Sequence, residues 1–376
     1  MEHRAFYVAA GSWFPPPLPK TATRAITCRH AAGTIAARFD AHAQIPWPVP
    51  RASLACGSLE PAPESPGAAP RRVNGYTHRH YDTDKTLFSR FTETAGITVN
   101  VIQAGDDELL ARLEQEGPKS PCDVFITAYA GRLGVAKQRG LLQAAQSAIL
   151  NANIPAPLRD PDGHWHGLTM RARMVAYDRK KVKPGAIITW ADLAKPEWKG
   201  EILVRTSENV YNQSLLAAKA WADGIVANMA RAPKGNDTDK LLALGEGLGT
   251  VAIVNSYYVG KLMASGEPEK QKAKAAIAVA FPTIGTHGTH VNVSGAGVAR
   301  HAPHKPEALA LLEYLSGDEA QHLFAEGNKE YPVKPGVRLA PELEAFGSFT
   351  PDSLNPEALA RLNPDAIKVF DAAGWR

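Results

Sequence analysis

From residue 73 onward the chain alternates β-rich runs with capped helical runs, joined by links of a few residues. No other feature narrows the fold as much. Strands that follow one another through a helix run parallel, and the helices then cover the sheet. Residues 73–76 read as an opening strand. Asp82, Thr83 and Asp84 are good helix-capping types, and Leu87, Phe88 and Phe91 share one face of the helix that follows, with Gly96 as its stop. Residues 97–102 return as a strand. Asp106 caps a second helix with Leu109, Leu110 and Leu113 turned inward and Gly117 at its end. Residues 123–127 are a third strand and 132–139 a third helix, closed by Gly140. The expectation is a parallel sheet covered on both faces.

The pattern resumes differently after residue 163. Residues 165–177 form a long extended stretch, alternating through Met170, Ala172, Met174 and Ala176. A short helix over 190–193 follows Thr189, and 201–204 is a strand. Thr206 and Ser207 cap a helix expected to run through Tyr211, Leu215, Leu216 and Trp221. Residues 249–254 are another strand, with Asn255 and Ser256 capping the helix that begins at Tyr257 and Tyr258. Residues 275–281 are again extended and lead into a Gly-, Thr- and Val-rich run over 285–298. Helices over 305–315 and 318–326 and a tail of short helices finish the chain. The two long extended stretches read as crossings between two α/β lobes, which makes a hinged cleft. The expected division is residues 73–170 plus about 280–320 for one lobe, and 171–279 plus about 321–376 for the other.

Composition separates the first 72 residues from the rest. They hold eight of the 42 Lys+Arg, four of the 38 Asp+Glu and 11 of the 29 prolines, so the remainder carries 34 bases and 34 acids. The excess charge of +4 therefore belongs to this segment and does not indicate a nucleic-acid-binding face. Pro15-Pro16-Pro17-Leu18-Pro19 and Pro46-Trp47-Pro48-Val49-Pro50 break helix and central strand alike. Residues 1–72 are expected to be a disordered or targeting segment. A secretory signal spoiled by its prolines, an organelle transit peptide and a misassigned start fit it equally. Cys28 and Cys56 lie in it, leaving Cys122 alone in the remainder, so no disulfide framework is expected there. The apolar run 275–281 is too short to span a bilayer.

Open α/β sheets bind ligands where strands end and helices begin. Three such places carry tyrosines: His80-Tyr81, Tyr211 and Tyr257-Tyr258. At a helix start, Tyr257 and Tyr258 sit roughly 100° apart and both can lean into one site. Taken singly, each is a packing residue and His80 a solvated turn residue. Their recurrence in equivalent places points to a site that stabilises phenolates, which a hard trivalent cation does far better than a helix dipole. His164 and His166 lack a third ligand, His287 and His290 border the cleft, and His301 and His304 frame a loop. The glycines from Gly285 to Gly297 are no dinucleotide fingerprint, and no G-x-S-x-G, H-E-x-x-H or P-loop pattern occurs. No catalytic residue is expected, and the chain is not read as an enzyme.

Several runs resemble the ferric-iron-binding periplasmic proteins of ABC importers, the Fbp/Fut type of extracellular solute-binding protein. They are Arg79-His80-Tyr81-Asp82-Thr83-Asp84, Thr169-Met170-Arg171-Ala172-Arg173, Val210-Tyr211-Asn212-Gln213-Ser214 and Asn255-Ser256-Tyr257-Tyr258-Val259-Gly260. Pro233-Lys234-Gly235-Asn236-Asp237, the run from Gly288 to Gly297 and the ending Ala373-Gly374-Trp375-Arg376 are similar too. The resemblance spans about residues 73–376. It implies the α/β, two-lobed type II periplasmic-binding-protein fold, with two hinge crossings and a ligand cleft between the lobes. It implies Fe3+ as transported ligand, with Fe2+ as the other oxidation state, held by Tyr81, Tyr211, Tyr257 and Tyr258. His80 is a candidate fifth ligand, and Arg171 a cation behind the phenolates. The implied partners are a membrane permease and its ATPase, touched peripherally by a periplasmic monomer. Lys261 stands where relatives often carry Arg, and the segment between Trp221 and Met229 looks short. The alternative is an anion-binding receptor of the same fold, with the tyrosines as hydrogen-bond donors at helix N-termini.

Overall fold

Period-two burial organises the first strands. In the computed structural model, which describes residues 70–215, 219–353 and 355–376, Val124 and Ile126 enter one core while Phe125 enters another. The expectations for residues 1–69, and for Leu216 within a helix, lie outside the described residues. The chain opens with β1 (Arg72–Thr77), α1 (Asp82–Ala95), β2 (Thr98–Gln103), α2 (Asp106–Glu116), β3 (Val124–Thr127) and α3 (Gly131–Gln138). β1 is parallel to both β2 and β3, as expected. Gly96 ends α1 at φ 64°, a left-handed backbone that glycine adopts without a Cβ clash. Asp106 is the first helical residue of α2, one position later than the cap expected for it, with Gly105 at the cap.

Next come β4 (Leu142–Gln143), α4 (Ala148–Asn153) and β5 (His166–Asp178). The following elements are β6 (Ile202–Leu203), α5 (Val210–Ser214), α6 (Lys219–Asn228), α7 (Asp237–Gly245), β7 (Val251–Asn255) and α8 (Ser256–Ala264). After them come α9 (Pro268–Ala276), β8 (Ile277–Ala280), β9 (Val291–Ala299), α10 (Lys305–Ser316), α11 (Asp318–Leu323), β10 (Tyr331–Pro332), α12 (Pro341–Glu344) and α13 (Pro356–Ala373). The strand order is β2-β1-β3-β9-β5-β7-β6, with β4 on β9 and β8 and β10 on β5. β9 runs antiparallel to both β3 and β5, so the parallel rule holds for the first three strands and the whole sheet is mixed.

β5 is common to both halves of the sheet. Its first part, through Ala172, pairs with β9; from Arg173 onward it pairs with β7. In the first half, Val73, Leu87, Phe91, Leu311 and Leu315 fill the layer under α1 and α10. Tyr76, Leu109, Leu110, Leu113 and Leu133 fill the opposite face under α2 and α3. Phe324 and Val333 join the first of these cores. In the second half, Val175 and Ile253 pack with Trp190, Trp221, Phe370 and Trp375, while Met174, Ala176 and Val254 pack with Leu241, Leu244 and Val259. Each fully buried Leu, Val or Phe contributes about 1.5–3 kcal/mol.

Three local expectations need correction. The helix expected from 206 through 221 is divided between α5 and α6, and Asn209 rather than Thr206 or Ser207 precedes it. Asn212 Nδ2 donates to the carbonyls of Arg205 and Thr206, and Ser214 Oγ to that of Tyr211. Side chains that bond the backbone in this way compete with helical bonding. The extended stretch from 275 begins inside α9, whose Lys- and Ala-rich sequence favours helix. The tail of short helices contains an 18-residue helix, α13, which carries Pro364 inside it. Among the described residues no helix is long and apolar enough to cross a membrane.

Candidate functional site

The tyrosines lie where strands hand over to helices. β1 ends at Thr77, and a four-residue turn brings Tyr81 to the cap position of α1 in an extended conformation, φ −90° and ψ 141°. β7 ends at Asn255, placing Tyr257 and Tyr258 in the first turn of α8. Their rings lie 4.1 Å apart between centroids, and the Tyr257 ring meets that of Tyr81 edge-on at 6.1 Å. Tyr211 rides on the one-turn helix α5 and is 8% exposed. Its hydroxyl accepts a hydrogen bond of 3.0 Å from Arg171 Nη1.

Arg171 joins these groups from the middle of β5. Fully buried, its guanidinium carbon lies 5.5 Å from the Tyr211 ring centroid and 5.9 Å from that of Tyr257. Nη2 donates to Ser294 Oγ at 2.6 Å and to the Ala128 carbonyl, and Nε is 3.4 Å from Glu330 Oε1. Arg79 is buried beside it, with a two-pronged pair to Asp84 at 2.9 and 3.0 Å. It also donates to Ser294 at 2.8 Å and to Glu330 Oε2 at 2.9 Å, and its guanidinium lies 4.8 Å from the Tyr81 ring centroid. Lys261, one turn along α8, has its ammonium 5.0 Å from the Tyr81 ring and 5.6 Å from that of Tyr257.

This setting favours the protonated form of three of the phenols. Burial pushes Tyr81, Tyr211 and Tyr257 above the ordinary phenol range, and Arg171 opposes the shift at Tyr81 and Tyr211. At Tyr257 the neighbouring phenols Tyr211, Tyr81 and Tyr258 raise it further, because ionised neighbours would repel. Burial acts to raise the Glu330 carboxyl, but Arg79 and Arg171 outweigh it and hold the group below its usual range. Burial pushes the Lys261 ammonium down, and Arg79 adds to the effect. The cluster thus offers several hard oxygen donors that ionise only when a strong cation replaces their protons.

All four tyrosines expected at the site are therefore drawn together, with Arg171 among them. His80 is exposed beside them: its ring is 5.1 Å from that of Tyr81, and Nδ1 is 3.4 Å from the His78 carbonyl. Sequence reasoning missed Glu330, and it quoted Arg79 and Ser294 without giving either a role. A lone acid ahead of a two-residue strand carries no signal of burial, so Glu330 was not recoverable from pattern.

Four other histidines, His164, His166, His290 and His304, are tied into the framework. His164 pairs with Asp160 at 3.1 Å and shares a cluster with Asp162, where Lys137 Nζ already bonds both carboxylates at 2.5 and 3.0 Å. His166 is buried and its pKa is pushed down to about 4 by burial. Burial, with Arg173, pushes His290 down to about 3; its Nε2 lies 3.0 Å from Ser214 Oγ beneath α5. His304, expected at the surface, is tied at 3.0 Å to the buried Asp123.

Fold and site together define a two-halved receptor with its polar groups gathered between the halves. The chain belongs to the bacterial extracellular solute-binding proteins, whose family pattern it matches over residues 74–322. It is 45% identical to Iron uptake protein A2 of Synechocystis sp. over 326 residues, 84% of this chain and 93% of that protein. It is 23% identical to the major ferric iron-binding protein of Neisseria meningitidis over 318 residues, 81% of this chain and 93% of that one. Its fold, the type II periplasmic-binding-protein fold, matches a Trichodesmium FutA (IdiA) structure in complex with iron and citrate. There the TM-score is 0.77 and identity 46%, over 81% of this chain and all of that one. A Campylobacter jejuni ferric binding protein matches with TM-score 0.75 and 35% identity, over 81% of this chain and all of that one.

Proposed function

We propose that this protein is the iron-capturing component of an ABC importer. It binds Fe3+ through the phenolate oxygens of Tyr81, Tyr211, Tyr257 and Tyr258, with His80 as a fifth donor from the exposed side, and acts as a receptor with no catalytic chemistry. The observation that carries this reading is the convergence of four phenols from both halves around the buried Arg171. The lobes divide where β5 exchanges β9 for β7 as its neighbour, and the second crossing is the segment between β8 and β9. An ion bridging the two sides draws them shut, and the closed form is what the membrane permease, working with its ATPase, recognises. The likeness to proteins named for iron uptake and periplasmic iron binding supports iron as the cargo and the periplasm as the compartment. The protein works there as a monomer.

Because Tyr81, Tyr211 and Tyr257 hold their protons when empty, iron uptake releases protons. The apparent affinity then falls by about one decade per pH unit for each phenolate formed. Titration with ferric citrate is expected to produce a phenolate-to-iron charge-transfer colour that fades as the pH drops. Joint replacement Tyr257→Phe and Tyr258→Phe is expected to abolish it; full colour in that variant would rule out these two ligands.

A further inference from the structure

We propose that Glu330 is a positioning residue for the tyrosine cluster, holding the Arg171 guanidinium in register with the Tyr211 hydroxyl. The inference rests on the iron reading above. Glu330 is fully buried, and its two oxygens serve two guanidinium groups. Oε1 lies 3.3 Å from Arg79 Nη1 and 3.4 Å from Arg171 Nε, while Oε2 accepts from Arg79 Nη2 at 2.9 Å and from Asn328 Nδ2 at 3.4 Å. The two arginines are not equivalent. Arg79 has a second carboxylate, Asp84, in a two-pronged pair. For Arg171, Glu330 is the one carboxylate within ion-pair distance among the described residues. Arg171 in turn places its Nη1 on the Tyr211 hydroxyl, so Glu330 acts on the phenol through one intervening side chain.

The backbone around Glu330 supports the same role. A π-type turn over Phe324–Asn328 ends at Lys329, the one non-glycine residue with positive φ among those described, at 57°. Such a conformation costs energy and persists where surrounding contacts over-determine it. Here Lys329 Nζ is anchored by Glu342 at 2.8 Å. The space for its side chain exists because residue 260 in α8 is glycine: a Cβ there would lie 2.7 Å from Lys329 Cβ. The bend that delivers Glu330 is therefore packed against the helix that carries Tyr257 and Tyr258.

Glu330→Gln tests this. The amide keeps one acceptor but turns an N–H2 toward a guanidinium, so it serves one arginine and releases the other. Glu330 hydrogen-bonds Arg79 but meets Arg171 Nε only as a 3.4 Å ion pair, so the contact that the neutral amide gives up is the one to Arg171. A cation beside a phenolate lowers the energy of its donor electrons, so a displaced Arg171 shifts the iron charge-transfer band to longer wavelength. Iron affinity is expected to fall roughly 10–100-fold, as for other groups that orient metal ligands. Glu330→Asp, which keeps both acceptors on a shorter arm, is expected to restore part of the affinity and of the band position.

Melting of the iron-free proteins is measured alongside. A variant that melts earlier yet binds iron with unchanged affinity and an unshifted band would overturn the proposal, since Glu330 would then act on stability alone. Failure of both variants to fold would overturn it in the same way. Wild-type protein that takes on no colour with ferric citrate would instead remove the iron reading, and this inference with it.

Discussion

A phenol buried near other phenols is a poor acid, and that fact governs the chemistry at the scale of single residues. Tyr257 has the strongest crowding: burial raises it first, then Tyr211, Tyr81 and Tyr258. In the unfolded chain each phenol titrates near its ordinary value of about 10. A folded-state pKa above the unfolded one means that the native state holds its protons more tightly. The stabilisation is then complete below about pH 10 and is lost as the pH rises toward the folded value. Each tenfold difference in proton affinity between the folded and unfolded chain is worth about 1.4 kcal/mol. Denaturant unfolding of the iron-free protein is therefore expected to show stability falling above pH 10, and Tyr257→Phe is expected to flatten that fall. An unchanged slope in the variant would count against a buried, protonated Tyr257. These tyrosines stood out in the sequence because each falls near a strand-to-helix handover, the ligand end of an α/β sheet, although the caps expected for the Tyr211 helix were misplaced. Arg79 and Glu330 did not, since a charged residue looks alike in sequence whether it is solvated or locked in a buried pair.

Among the elements, α8 shows how local packing sets the site. Its first turn carries two of the phenols, its second carries Gly260, and Lys261 follows against the rings. Gly260 is ordinary helical backbone, so its value lies in space rather than in conformational freedom. Gly260→Ala would gain helix propensity of about 1 kcal/mol in isolation. The added methyl would meet Lys329 Cβ at 2.7 Å and force α8 away from the turn that bears Glu330. The variant is expected to be destabilised by about 1–3 kcal/mol, read by denaturant unfolding, with weaker iron binding. A gain in stability with wild-type binding would show that the two segments part freely. Elements with strong periodicity and clear stops, such as α1 and α10, were readable to within a residue or so. The end of α5 was not: Ser214 turns its hydroxyl onto the Tyr211 carbonyl and Leu215 leaves helical geometry, neither of which periodicity signals. The true length of α13 was hidden by Pro364, which reads as a breaker in sequence.

For the molecule as a whole, the decisive feature is that one sheet is shared through β5 by two halves with separate cores. Alternating strands and helices foretold an α/β fold; they could not foretell that β9 would return antiparallel beside β3. Arg171 and Arg173 sit on one face of β5 on either side of the change of partner, and strand periodicity puts both toward buried acids. The change of partner along β5 and the buried guanidinium beside Tyr211 therefore lie on the same stretch of chain. Anomalous diffraction at the iron absorption edge, on crystals grown after ferric citrate loading, tests whether both halves hold one ion. A single strong peak within bonding distance of the hydroxyl oxygens of Tyr81, Tyr211, Tyr257 and Tyr258 is the predicted result. A peak away from this cluster, or one touching tyrosines of only one half, would contradict it.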